Sequence, residues 1–250
     1  MSLILAEHFM RAGHEVKVVT QTLDDSKAPY PYPVLRQPDR KSLIEAVRWS
    51  EVVFHNNISL QTAWPLAFVR RPWVIVHQTW IRQVDGSIAR QDKIKRFLLR
   101  FAHQIAISQA IADDVKGCRV LIGNCYNSSL FRKLPDVTRD RDLVFVGRLV
   151  SDKGVDLAIG AVAELRERGI ETNLTIIGGG EEREALERQA AELGIQDRVR
   201  FTGPMQGEPL VAEINRHRIM VVPSRWKEPF GIVALEGIAC GCAVVGSEGG

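Results

Sequence analysis

The sequence contains no run of about 18 uncharged apolar residues, the length a membrane-crossing helix needs. Its opening, S-L-I-L-A-E-H-F-M-R after Met1, lacks the basic start and small-residue cleavage site of a secretory leader, so a cytoplasmic location is expected. Cysteine is scarce. Cys118, Cys125, Cys240 and Cys242 form no C-x-x-C pair and have no histidine at zinc-ligand spacing, which argues against a metal or disulfide framework. They are expected to be small buried hydrophobes in a reducing compartment. An intact dinucleotide fingerprint is also missing. In I-I-G-G-G-E-E-R, Gly178 and Gly180 imitate its start, but the sixth position is Arg183 and no acidic residue ends the next strand, which disfavours an NAD-dependent oxidoreductase.

Net charge is small too, at +3, yet it is unevenly spread. Residues 1–139 hold 20 Lys and Arg against 12 Asp and Glu, while residues 140–250 hold 13 against 18. Opposite signs in two halves suggest two domains with different partners. The basic half suits an anionic lipid surface or a phosphorylated acceptor, and gives only weak support for nucleic acid, which is not an expected partner. A mere drift of surface charge accounts for the asymmetry equally well.

At 250 residues the chain can bury one large core or two modest ones. From Leu143 onward, short apolar runs ending in Gly or Pro alternate with helical stretches: L-V-F-V-G, Val155 to Arg168, N-L-T-I-I-G, Glu181 to Leu193, R-V-R-F-T-G, Glu208 to Arg216, I-M-V-V-P, Pro229 to Ala239 and A-V-V-G. That alternation predicts βαβ units and a parallel sheet. The first half repeats it less cleanly, with strands in E-V-K-V-V-T, E-V-V-F-H, W-V-I-V-H, Q-I-A-I-S and R-V-L-I-G, a helix over Lys93 to Ala102, and an irregular proline-rich insert from Pro29 to Pro38. Leu134 to Asp142 is polar with a proline and is assigned as the linker, giving domains 1–139 and 140–250. The chain opens inside a helix capped by Gly13 and stops at Gly249-Gly250 after a strand, so a first strand and closing helices are expected to be missing.

In open α/β sheets, ligands lie beyond the carboxyl ends of the strands. In G-R-L-V-S-D-K-G, Arg148 follows a buried strand and Lys153 stands at the start of a helix, so two cations converge on one loop mouth. A planar fork and a point charge suit a departing pyrophosphate. Gly178 to Gly180 offers either close backbone approach to a ligand or a tight turn. In W-K-E-P-F-G-I-V-A-L-E-G, Pro229 suits the first turn of a helix, and Gly231 leaves room beside amides that can hold an anion. A helix starting at Pro229 sets Glu228 and Glu236 roughly 12 Å apart, at about 1.5 Å per residue. Glycosidase carboxylates stand only about 5–9.5 Å apart. This pair therefore suits the two ends of a nucleotide-sugar, with hydroxyls at sugar and ribose and phosphates between.

G-R-L-V-S-D-K-G, I-I-G-G-G, F-T-G, P-S-R-W-K-E-P-F-G-I-V-A-L-E-G and A-C-G-C-A-V-V, in that order, resemble the donor half of the retaining glycosyltransferases of family 4 over residues 143–250. The resemblance implies an α/β fold of GT-B type, with two doubly wound Rossmann-like domains and a cleft between them. Arg148 and Lys153 would bind the donor diphosphate, Glu228 the transferred sugar, Glu236 the ribose, and the amides near Phe230, Gly231 and Ile232 the phosphate. The turns at Gly178 to Gly180 and at Thr202 to Pro204 would line the base. G-H-E-V-K-V-V-T and W-V-I-V-H-Q-T-W resemble the acceptor domain more loosely, which would make His77 a cleft residue orienting the reacting centre, with His55 a weaker candidate. A polar strand-end histidine is the plain alternative for His77.

Further implications are sugar transfer from a nucleotide diphosphate-sugar to a polysaccharide, lipid-linked or small-molecule acceptor, with retention, no cofactor and no metal. The competing expectation is a non-catalytic nucleotide-sugar-binding fragment. Gly237 stands where the family commonly has alanine and Ala243 where it has proline. Asp140-Arg141-Asp142 spells D-x-D, a metal signature of the other large glycosyltransferase fold, but precedes a strand and reads as solvated linker. Arg90 to Phe101 puts Ile94, Phe97, Leu98 and Phe101 on one helical face with Lys93, Arg96 and Arg100 beside it. That pattern suits either peripheral membrane contact or a core-facing helix with a solvated edge.

Overall fold

Apolar runs too short for helices pair as strands here, and every pairing is parallel, as βαβ crossovers require. The computed structural model describes residues 2–23, 30–83 and 86–248. Pro29 of the expected insert and the closing Gly249-Gly250 lie outside the described residues. The chain divides into two compact units, Met1–Asn124 and Cys125–Gly250.

In the first unit, α1 (Ser2–Arg11) ends on Gly13, whose φ of +89° is the left-handed cap that glycine tolerates. Then come β1 (Val18–Thr20), β2 (Val34–Arg36), α2 (Arg40–Trp49), β3 (Val53–Asn56), α3 (Leu60–Ala63), β4 (Trp73–His77), α4 (Arg90–Leu98), β5 (His103–Ala106), α5 (Gln109–Asp114) and β6 (Val120–Leu121). The insert expected to be irregular contains β2, because Val34 to Arg36 finds an edge in β1. β1 and β2 form a separate ribbon, while β3 to β6 form a four-stranded sheet in sequence order. A cavity of about 800 Å³ lies beside both β1 and β3, lined by Val19, Leu43, Val47, Val53, Phe54 and His55 among others.

The second unit runs β7 (Arg141–Val146), α6 (Val155–Glu167), β8 (Leu174–Ile177), α7 (Arg183–Glu192), β9 (Val199–Gly203), α8 (Gly207–Asn215), β10 (His217–Val222), α9 (Ile232–Ala239) and β11 (Ala243–Gly246). Its strand order is β11-β10-β7-β8-β9, a doubly wound sheet that reverses direction between β7 and β10. Alternation along β7 sends Phe145 to a core with Ile159, Val162 and Leu186, and Val144 to an opposite core with Ile214, Met220 and Cys240.

The expected boundary at 139/140 moves to 124/125 because the segment between packs on the second unit. Phe131 is buried in the core with Met220, the Leu134 amide donates to Asn215 Oδ1 at 2.8 Å, and Arg139 donates to the carbonyls of His217 and Cys240. The expected linker is thus a strap held by hydrogen bonds. Cys240 and Cys242 are buried as expected, but Cys125 is exposed and Cys118 only half-buried; all four are free thiols. Gly237 is buried, and a methyl there would meet the Met220 side chain at 2.5 Å. The flexible methionine fills the space an alanine would use.

Candidate functional site

The switch point between β7 and β10 is where two neighbouring crossovers leave the sheet in opposite directions, so their loops part and leave room for a ligand. The loop after β7 carries Arg148 and a short turn, Ser151–Lys153; the loop after β10 carries Ser224 to Glu228. They are laced together. The Arg225 and Trp226 amides donate to the Asp152 carbonyl at 2.9 and 3.1 Å, and the Arg225 guanidinium grips the Asp156 carboxylate with two bonds of 2.6 and 2.5 Å. That pairing, led by the hydrogen bond itself, holds the Asp156 carboxyl below its usual range. A side chain on Gly154, at φ +65°, would lie 2.0 Å from the Pro223 carbonyl, so glycine permits the close approach.

This lacing brings Lys153 and Glu228 together. Lys153 Nζ forms an ion pair with Glu228 Oε1, and Ser224 Oγ donates to the same oxygen at 2.9 Å. Both side chains of the ion pair are largely buried, which strengthens it relative to a surface pair. Sequence spacing put these residues in separate roles; the structure makes them one unit. Arg148, by contrast, is exposed and makes no hydrogen bond or ion pair with another described residue. Ser224, Arg225 and Asp156 escaped the sequence reading. The signal for Ser224 was its place directly after a strand ending in proline.

The helix expected from Pro229 begins at Ile232, so Glu228 to Gly231 is not helical and the roughly 12 Å spacing falls with it. Gly231, at φ +76° and ψ +52°, turns the chain into α9, and Phe230, Gly231 and Ile232 are half-buried around that start. First-turn N–H groups lack helical acceptors and favour anions. Glu236 sits one turn in, among the apolar side chains of α9, and its carboxylate meets no hydrogen-bonding or charged partner among the described residues. Burial pushes it up to about 6.

The glycine turn after β8 has a third explanation besides ligand approach and tight turning. A side chain on Gly178, at φ +153°, would lie 1.8 Å from the Gly147 carbonyl, and one on Gly180 would lie 2.2 Å from that of Leu149. The Leu149 amide donates to the Gly179 carbonyl at 3.0 Å. These glycines let the loop after β8 pack directly on the Arg148 loop. Thr202 is half-buried and spends its hydroxyl on the Ile176 and Gly203 carbonyls at 3.3 and 3.0 Å, so the side chain anchors the turn.

In the first unit, His77 ends β4 but is only 1% exposed, with Nε2 facing Gln104 Oε1 at 3.2 Å. Burial is the main cause of its lowered pKa. This is the packing of a strand-end core histidine. His55 is fixed on both sides: Trp73 Nε1 donates to Nδ1 at 3.0 Å, and Nε2 faces Thr62 Oγ1 at 3.3 Å. Burial lowers it to about 4.

The D-x-D carboxylates are engaged, Asp140 by Arg216 at 3.1 and 2.6 Å, and Asp142 by Asn173 at 2.7 Å and Arg218 at 3.3 Å. Among the described residues no three His, Cys, Asp or Glu side chains converge as a metal site requires, and no helix is long and apolar enough to cross a membrane.

Residues 127–250 match the family model for glycosyl transferases group 1. A D-inositol 3-phosphate glycosyltransferase of Corynebacterium jeikeium is 40% identical over 126 residues, 48% of this chain and 30% of that protein. The chain thus spans about a third of the length of such curated relatives. Among solved structures, Anabaena HepE in complex with UDP and glucose superposes with a TM-score of 0.75 at 18% identity, covering 94% of this chain and 82% of that one. A sucrose-phosphate synthase of Thermosynechococcus elongatus gives 0.77 at 22% identity, covering 99% and 74%. At these identities the likeness concerns the fold, which is of the GT-B type, with Rossmann-like units in series.

Proposed function

We propose, from the match of residues 127–250 to the family model for glycosyl transferases group 1, that the protein moves a sugar from a nucleotide diphosphate-sugar to a polysaccharide, lipid-linked or small-molecule acceptor, with retention of configuration and without a metal. One observation carries this reading. At the switch point of the second sheet, an arginine without a partner among the described residues, a lysine–glutamate pair and the start of α9 share one pair of laced loops.

Arg148 and the first-turn amides of α9 would hold the diphosphate, with Lys153 joining them as charge grows on the leaving oxygen. Glu228, steadied by Ser224, would accept hydrogen bonds from the sugar, and Glu236 from the ribose. The bond from the anomeric carbon to the diphosphate oxygen breaks as the acceptor oxygen bonds to that carbon on the same face, and the acceptor's proton passes to the departing phosphate. Arg148 and Lys153 supply the positive charge that a metal would otherwise bring. His77, packed as a strand-end core residue against Gln104, is given no part in the transfer.

Calorimetric titration with UDP, GDP, ADP and their sugars tests the site. Binding of one nucleotide with Kd weakened about tenfold or more by Arg148→Ala is expected, each tenfold being about 1.4 kcal/mol. Unchanged binding by that variant overturns the phosphate role, and no binding of any nucleotide to the wild type overturns the donor site.

A further inference from the structure

We propose that the outer face of α4 and the turn after it, formed by Arg90, Lys93, Ile94, Phe97, Arg100 and Phe101, docks on an anionic lipid surface. An amphipathic helix on a parallel sheet normally turns its apolar stripe inward. On α4 and the turn after it, Leu98 and Leu99 are turned inward but the aromatic stripe is not. Ile94, Phe97 and Phe101 are 44%, 55% and 66% exposed, while Asp92 is buried and Arg96 faces the protein.

The inward side is locked by polar bonds. The Arg96 guanidinium donates to the Ile81 carbonyl at 3.2 and 3.0 Å, to the Asp114 carbonyl at 2.8 Å and to its carboxylate at 2.9 Å. Asp92 Oδ2 accepts from Gln83 at 3.0 Å and from the Ala89 amide at 3.1 Å. Rolling the helix to bury its aromatic stripe would break all of these, so the stripe is presented outward by construction. Of the expected stripe, Ile94, Phe97 and Phe101 face outward, while Leu98 is half-buried and the neighbouring Leu99 is buried.

Charge selects the occupant. Arg90, Lys93 and Arg100 interleave with the apolar side chains at spacings of three and four, all on one face. None of the three pairs with a carboxylate among the described residues. Arg100 instead lies over the Phe97 ring at 5.5 Å, and Phe97 meets Phe101 edge-to-face at 5.9 Å. Aromatic rings at acyl-chain depth with cations reaching phosphates is how an interfacial helix divides its side chains. The core of a protein–protein interface is instead depleted of lysine. This surface belongs to the first unit and the sugar-donor loops to the second, and docking stands whether or not sugar transfer does.

Sedimentation with vesicles of equal parts phosphatidylglycerol and phosphatidylcholine, against phosphatidylcholine alone, tests the proposal. The chain should bind the anionic vesicles, lose binding as salt rises, and bind phosphatidylcholine far less. Phe97→Ser with Phe101→Ser, and separately Lys93→Glu with Arg100→Glu, should each weaken it about tenfold or more. Ile94→Ser, a milder change at an exposed site, gives a check should a double variant fail to fold. Failure to bind anionic vesicles overturns the proposal, as does binding that none of these variants changes. A wild type that is dimeric in solution, and monomeric after Phe97→Ser with Phe101→Ser, would show an interface between copies and also overturn it.

Discussion

Glu228 and Lys153 neutralise each other as an ion pair. A diphosphate must compete with that pair, whereas a sugar hydroxyl donating to Glu228 need not. Glu228→Gln should therefore raise affinity for free nucleoside diphosphate a few-fold, about 1 kcal/mol, and lower transfer at least about a hundredfold. Calorimetry and a transfer assay on one preparation would show both, and a parallel loss of affinity and turnover would refute the pairing. Glu236 makes the complementary case. Its carboxyl is raised to about 6 by burial, so the folded state binds more protons than the unfolded chain between about 4.5 and 6. Stability from this group is present at low pH and lost as pH rises through about 6. Glu236→Gln should accordingly stabilise the fold by about 1 kcal/mol above pH 7 and by little at pH 4, while, under the proposed ribose role, nucleotide affinity of the variant should lose the wild type's decline below pH 6. Melting curves and titrations across pH 4 to 8 test both signs.

At the scale of elements, positions that resemble ligand contacts prove to hold loops against each other. Gly178 and Gly180 were legible as special in the sequence but not their reason, because the Gly147 and Leu149 carbonyls they face lie about thirty residues earlier and only sheet pairing brings them close. Gly180→Ala should cost about 2–3 kcal/mol by overpacking against backbone, and should weaken nucleotide binding with it because the Arg148 loop is displaced. A lowered melting temperature with unchanged affinity would show that Arg148 binds without that support. The start of α9 was misjudged for a related reason. Pro229 fits a first helical turn, but a left-handed glycine at 231 sets the boundary, and which glycine adopts that conformation is decided by packing.

For the whole molecule, the division after Asn124 leaves Phe131, Leu134 and Arg139 with the second unit. A fragment of residues 125–250 should melt higher than one of residues 140–250, which loses the buried Phe131 ring at a cost of about 3–5 kcal/mol. Circular dichroism melts of the two would settle it, and equal stability would restore the boundary to residue 139. Sequence composition pointed to residue 139 because polar, proline-containing segments are usually linkers. Here the polarity is used in hydrogen bonds to Asn215, His217 and Cys240, partners about 80 to 100 residues later.

The sequence by itself determined the alternation of strands and helices, the parallel sheet of the second half, and the candidate residues at the strand ends, since hydrophobic period and strand-terminal chemistry are local properties. Only the tertiary structure decided that Lys153 and Glu228 form one pair, that Arg148 is exposed without a partner among the described residues, that His77 is sealed against Gln104, and that α4 wears its aromatic stripe outward. Each depends on which distant segment a side chain meets. Periodicity states that a helix has two faces, and the neighbours decide which one is covered.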